Sequence, residues 1–154
     1  MRRTQMLLLV GVVMIVGTPI LSAQQTNRDV AIGTAILRHI AAEFPEGAVL
    51  GIESTDQPAL AHDVALAAKG KAVRLAQTLV CDQPPTKCRV KEVRALVRLW
   101  PLRIRGDSTV SVDVDLWWNH SHVTDGSATS RRRYRLARAR GTWEIIDVRG
   151  IFIT

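Results

Sequence analysis

No serine nucleophile elbow, phosphate-cradling glycine loop or dinucleotide fingerprint occurs in the 154 residues. The best-known signatures of hydrolases, nucleotide enzymes and dehydrogenases are therefore missing, and no cofactor is expected. No internal repeat or low-complexity tract follows the N-terminal segment, which removes the solenoid and linker classes. After residue 23 no stretch is long and apolar enough to span a bilayer, so no stable membrane span is expected there. Lysine is scarce, four against seventeen arginines, and cysteine occurs only twice. No cysteine follows the apolar N-terminal run, which excludes a bacterial lipid anchor at that point.

What is present begins with that N-terminus. Met1-Arg2-Arg3 is a short positive region, residues 6–16 are apolar, and Gly17, Pro19 and the small pair Ser22-Ala23 precede polar Gln24-Gln25. This is the pattern of a secretory signal peptide, with cleavage expected after Ala23. The competing reading is an uncleaved anchor; the apolar core is short for one and Pro19 interrupts it. The expected organisation is a signal peptide over 1–23 and a single domain over 24–154, secreted or periplasmic. Cys81 and Cys88 enclose Asp-Gln-Pro-Pro-Thr-Lys, a turn-rich segment. In an oxidising compartment a close pair of this kind is expected to form a disulfide. The spacing is wider than the two-residue gap of redox and zinc motifs.

The net charge of +7 is unevenly placed. Residues 24–88 carry six basic and seven acidic side chains, residues 89–154 thirteen and seven. The basic excess belongs to the half that reads as strands. Before it come two helical stretches. In residues 26–44, Val30, Gly33, Ile36, Leu37, Ile40, Ala41 and Phe44 recur at helical spacing, with Thr26 and Asp29 as a cap and Pro45 as the stop. Residues 48–53 read as an edge strand. Residues 58–80 read as a second helix, with Pro58 in its first turn and Lys69-Gly70-Lys71 as a point where it could split.

From Cys88 the hydrophobic period becomes two. Residues 93–105 read as a strand bent at Trp100-Pro101, where the phase shifts, and Gly106-Asp107-Ser108 as a turn. In residues 109–120, Val110, Val112, Val114, Leu116 and Trp118 share one face, and Ser111, Asp113, Asp115, Trp117 and Asn119 share the other. Residues 130–140 and 142–153 complete the series around a turn at Arg140-Gly141. The expected class is α+β: N-terminal helices packed on a curved, four-stranded or slightly larger antiparallel meander.

The bent strand at Trp100-Pro101, the hairpin at Gly106, and the ending Tyr134-Arg-Leu followed by Gly141-Thr-Trp-Glu-Ile-Ile-Asp-Val resemble the cystatin-like architecture. Within it they resemble the nuclear transport factor 2-like, cone-shaped superfamily. The resemblance spans residues 26–153 as a pattern rather than a motif, and it implies a fold without a function. No residue set matches a catalytic pattern of that superfamily's isomerases or dehydratases.

Four features carry candidate chemistry. His120 and His122 lie two apart on a strand, and with Asp125 or His62-Asp63 they could hold a metal; the full ligand motif is missing, so no metal is expected and a solvated turn is the simpler reading. Asp113 and Asp115 invite an acid–base pair, but the neighbouring Arg131, Arg133 and Arg135 make cross-strand charge pairing the simpler account. The arginine run that includes Arg133 could meet an anionic ligand, although alternation spreads it over both faces. An exported chain rarely meets nucleic acid, so nucleic acid is not the expected partner. Trp117, alone among the tryptophans on the polar face, could line a ligand pocket or a homodimer interface.

The expectation is thus an exported, non-catalytic binding or interaction module that uses the sheet face around Trp117, with a homodimer through that face. The alternative is a small cone-fold enzyme with a pocket between helices and sheet, using His120, His122 or Asp113 for proton transfer.

Overall fold

The computed structural model describes residues 18–68, 73–75, 79–81, 88–106, 108–119 and 127–151. In chain order these form α1 (Thr18–Ala41), β1 (Leu50–Ser54), α2 (Pro58–Ala67), β2 (Val73–Leu75), β3 (Leu79–Cys81), β4 (Cys88–Val90), β5 (Ala95–Leu99), β6 (Arg103–Ile104), β7 (Thr109–Asn119), β8 (Ser127–Ala139) and β9 (Thr142–Ile151). The class is α+β. One seven-stranded sheet runs β2-β1-β5-β7-β8-β9, with β6 also pairing with β7, and β3 and β4 make a separate hairpin.

The long alternating strand is where most of this sheet meets. On one side β7 pairs antiparallel with β5 and then β6, and on the other it pairs with β8 along its whole length. The interruption between β5 and β6 falls at Trp100 and Pro101. Proline has no N–H to give to a ladder, so pairing must lapse there. Trp100 still donates its backbone N–H to Asp113 O at 2.9 Å, which keeps the two pieces in line with β7. The β8–β9 turn is built on Arg140 (φ 50°) and Gly141 (φ 85°). Two left-handed residues in a two-residue loop match the strand twist, and this is why glycine serves well at the second position. Ile146 is the extra residue of a bulge opposite Arg135 and Leu136.

The first half departs from the sequence expectation in four places. Helix α1 starts at Thr18, so Thr26 lies inside it and is no cap. It ends at Ala41, before Phe44: Glu43 and Phe44 already turn back three residues rather than four, as the approach to Pro45 demands. Helix α2 stops at Ala67, and Val73–Leu75 and Leu79–Cys81 are strands rather than the rest of a helix. Strand β1 is not an edge strand, because it pairs parallel with both β2 and β5. Helix α2 is then the crossover that a parallel β1–β2 pair requires.

The two sheet faces differ. Toward the helices, Ile32, Ile36, Leu37 and Ile40 of α1 and Leu60, Ala61 and Val64 of α2 join Val97, Leu99, Val112, Val114, Leu116, Tyr134 and Leu136 in one core. Trp118, Trp143 and Ile145 pack at its margin. At Gly33 a Cβ would lie 2.6 Å from Val64 Cγ2 and 3.3 Å from Leu99 Cδ1, so glycine is what lets α1 sit this close to α2 and the sheet. On the opposite face, among the described residues, Val90, Val93 and Leu96 form a small second cluster, with Val49 and Trp117 against it. No helix among the described residues is long and apolar enough to cross a membrane.

Candidate functional site

The face away from the helices carries a ladder of arginines, carboxylates and tryptophans. Its origin is the period of two: every polar residue of β7 that alternates with a core valine or leucine must point to this side. Register then selects partners. Asp113 lies opposite Arg133, and Asp115 lies opposite Arg131 on β8 and Arg98 on β5.

Both aspartates are engaged from two directions. Arg133 grips Asp113 with both ends of its fork, Nε donating to Oδ1 at 2.6 Å and Nη2 to Oδ2 at 3.0 Å. Arg103 approaches the same carboxylate at 3.5 Å. The Arg133 hydrogen bonds hold the Asp113 carboxyl below the usual range, against the opposing effect of partial burial, with Arg133, Arg103 and Arg131 adding through their charge. Asp115 is buried and receives Arg131 through Nε and Nη2, the latter at 2.8 Å, together with the indole Nε1–H of Trp100 at 2.9 Å. The bond to Asp115 in turn raises the Arg131 guanidinium above its ordinary value.

Two cation–π contacts tie the tryptophans into the ladder. The Arg131 guanidinium lies 4.7 Å from the Trp100 ring centre, and that of Arg98 lies 4.6 Å from the Trp117 ring centre. Arg98 is itself held by Glu53 of β1 at 2.9 Å. Trp117 thus has one ring face under Arg98, an edge against the Leu96 cluster, and a share in a cleft of about 410 Å³. Asp115, Thr129, Ser130, Arg131, Gly150 and Ile151 line the rest of that cleft. A second cleft of about 620 Å³ lies between the middle of α1 and the β8–β9 turn, with Arg28, Arg138 and Trp143 in its walls.

Of the residues singled out from sequence, Trp117, Asp113 and Arg133 share this open face. His120, His122 and Asp125 lie outside the described residues, and among the described residues no three His, Cys, Asp or Glu side chains gather to hold a metal. Cys81 and Cys88 are directly opposite in the β3–β4 register, and their side chains lie outside what is described. Sequence reasoning overlooked Trp100, Arg98 and Glu53 as members of the ladder. The phase shift at Pro101 was the available signal for Trp100; nothing local announces Glu53, which reaches Arg98 from 45 residues away.

The arrangement can hold and orient a ligand by stacking and charge, and both of its β7 carboxylates, Asp113 and Asp115, are bound by arginine. No protein-family model, curated protein or solved structure matches the chain.

Proposed function

We propose that this chain is an exported, non-catalytic binding module whose ligand docks on the open sheet face, in the cleft beside Trp117. The observation that carries this reading is the pairing of the two candidate carboxylates. Asp113 and Asp115 are each closed by a two-pronged arginine contact, so neither is set up to exchange protons with a substrate. The enzyme alternative places its pocket between helices and sheet, where Ile32, Ile36, Val97, Val112 and Tyr134 are fully buried and carry no ionised group. The opposite face keeps Trp100 partly exposed and leaves the cleft by Trp117 open.

Export rests on the leader pattern of residues 1–23 and on the cysteine pair. Residues in direct register across an antiparallel pair are close enough at Cα for a disulfide, so the Cys81–Cys88 register supports a bond that staples the hairpin. The helices-on-sheet arrangement keeps the cystatin-like, cone-shaped resemblance as the preferred architectural reading. A second copy could meet this same face as a homodimer, which light scattering would report as a doubled mass.

The test is retention of the exported chain on immobilised polysaccharides and on vesicles, comparing wild type with Trp117→Ala. Retention by wild type that Trp117→Ala loses, at unchanged melting temperature, is the expected result. Equal retention of both proteins would overturn the assignment to this face.

A further inference from the structure

Ser111 stands between two arginines. Arg103 of β6 is in register with it on one side and Arg135 of β8 on the other. Neighbouring strands lie about 4.8 Å apart, so the two arginine Cα atoms are about 10 Å apart with a buried serine as the floor between them. Two side chains of this length can close over such a gap.

Neither guanidinium donates a hydrogen bond to an acceptor among the described residues. Arg103 has a side chain 62% exposed and reaches Asp113 only at 3.5 Å, while Arg133 already holds both oxygens of that carboxylate. Arg135 makes no ion pair among the described residues, and its Nε is buried without a hydrogen-bond partner. The carboxylate in register with it, Asp147, is taken by Arg149 at 2.7 Å. Across β7, Asp113 faces Arg133 and Asp115 lies between Arg98 and Arg131, whereas at Ser111 two cations flank a neutral residue.

We propose that Arg103, Ser111 and Arg135 form an oxyanion seat for a phosphate or sulfate group, free or ester-linked. Each guanidinium presents parallel donors to a pair of anion oxygens, and a tetrahedral dianion can take a fork from each side. A carboxylate has two oxygens and one charge, which one fork already satisfies. The seat deepens the binding-face reading and rests on it: the Trp117 cleft takes the body of the ligand, and the seat takes its anionic group.

The experiment is a titration of the isotopically labelled full chain with inorganic phosphate, inorganic sulfate and acetate at constant ionic strength, followed by NMR. Saturable shifts at Ser111 and Arg135 are expected with phosphate or sulfate, and at least tenfold weaker binding of acetate. Arg103→Gln and Arg135→Gln should each weaken the bound anion at least tenfold, and Arg140→Gln, in the β8–β9 turn, should leave it unchanged. Whichever of phosphate and sulfate binds tighter names the ester. Non-saturating shifts, an equal effect of Arg140→Gln, or acetate binding as tightly would each overturn the seat. Those outcomes would leave the Trp117-dependent retention test standing, so the two readings fail separately.

Discussion

The indole Nε1–H of Trp100 donates to Oδ2 of Asp115 across 2.9 Å, and the ring of the same tryptophan lies under the guanidinium that binds that carboxylate. Three groups from β7, β8 and the break after β5 are locked by one buried aspartate. The break at Pro101 is therefore a fixed corner of the sheet rather than a slack one.

Removing that aspartate should cost more than removing an exposed charge. Asp115→Ala leaves Arg131 and the Trp100 indole without their acceptor in a half-buried setting, and a loss of about 1–3 kcal/mol is expected. Chemical denaturation checks it, and Trp100→Phe should give a smaller loss, because it removes a donor and leaves Arg131 paired.

Acid should find the same ladder at Asp113. Its folded-state carboxyl titrates below the ordinary value of about 4 because Arg133 binds the anion, so near and below pH 4 the unfolded chain takes up a proton that the folded chain refuses. The stabilisation it contributes is complete above that ordinary value and fades as pH falls through the folded one. Asp113→Asn should lower stability at neutral pH and flatten the stability-versus-pH curve below pH 4, measured by urea unfolding; an unchanged slope would count against the pairing.

Tyr134 is the largest fully buried side chain, and its hydroxyl is buried without a hydrogen-bond partner. Burial raises its pKa, which a loose polar contact with the Arg132 guanidinium, and then the charge of that group, partly offset. Tyr134→Phe removes a buried hydroxyl that lacks a well-formed hydrogen bond, so a change of about 0–1 kcal/mol toward greater stability is expected. The phenol's contribution is present below its ordinary pKa and lost as pH climbs through the raised folded value, so the variant should also resist alkaline unfolding above about pH 10 better than wild type.

Gly33→Ala improves helix propensity by about 1 kcal/mol in an isolated helix. Here the new methyl would meet Val64 Cγ2 at 2.6 Å, so a net loss of about 1–3 kcal/mol in thermal or denaturant unfolding is expected. Val64→Ala alone should also destabilise, through a cavity, yet the double variant should lose less than the sum of the two.

The β3–β4 hairpin supplies the remaining prediction. With Cys81 opposite Cys88, protein recovered from an oxidising compartment should show no free thiol to alkylation without reductant. Reduction should lower stability by about 2–3 kcal/mol, the chain-entropy effect of so short a loop. Two alkylated cysteines in unreduced exported protein would refute the bond.

Much of the strand-rich half was legible from composition and spacing. The alternation of valine and leucine with Ser111, Asp113, Asp115 and Trp117 reads as a strand with one buried face because side-chain direction is a local consequence of an extended backbone. The turn at Arg140-Gly141 is legible for the same reason, since its signal lies within a few residues. Even the pairing of the aspartates with the β8 arginines could be expected, because a hairpin brings consecutive strands together.

The sequence by itself determined the alternating apolar face of β7 and β8, the turn at Arg140-Gly141, and that arginines would face aspartates. Tertiary structure decided what is non-local. Helix α2 ends at Ala67 because the following residues find a parallel partner in β1, a gain that helical periodicity cannot display. Strand β1 became interior because β5 docks beside it from some 45 residues along the chain. Register alone assigned Arg133 to Asp113 and Arg131 to Asp115, and it left Arg103 and Arg135 facing each other across Ser111. A one-residue slip would turn every one of these side chains to the opposite face. The candidate site is thus a property of pairing, while the strand that carries it is a property of sequence.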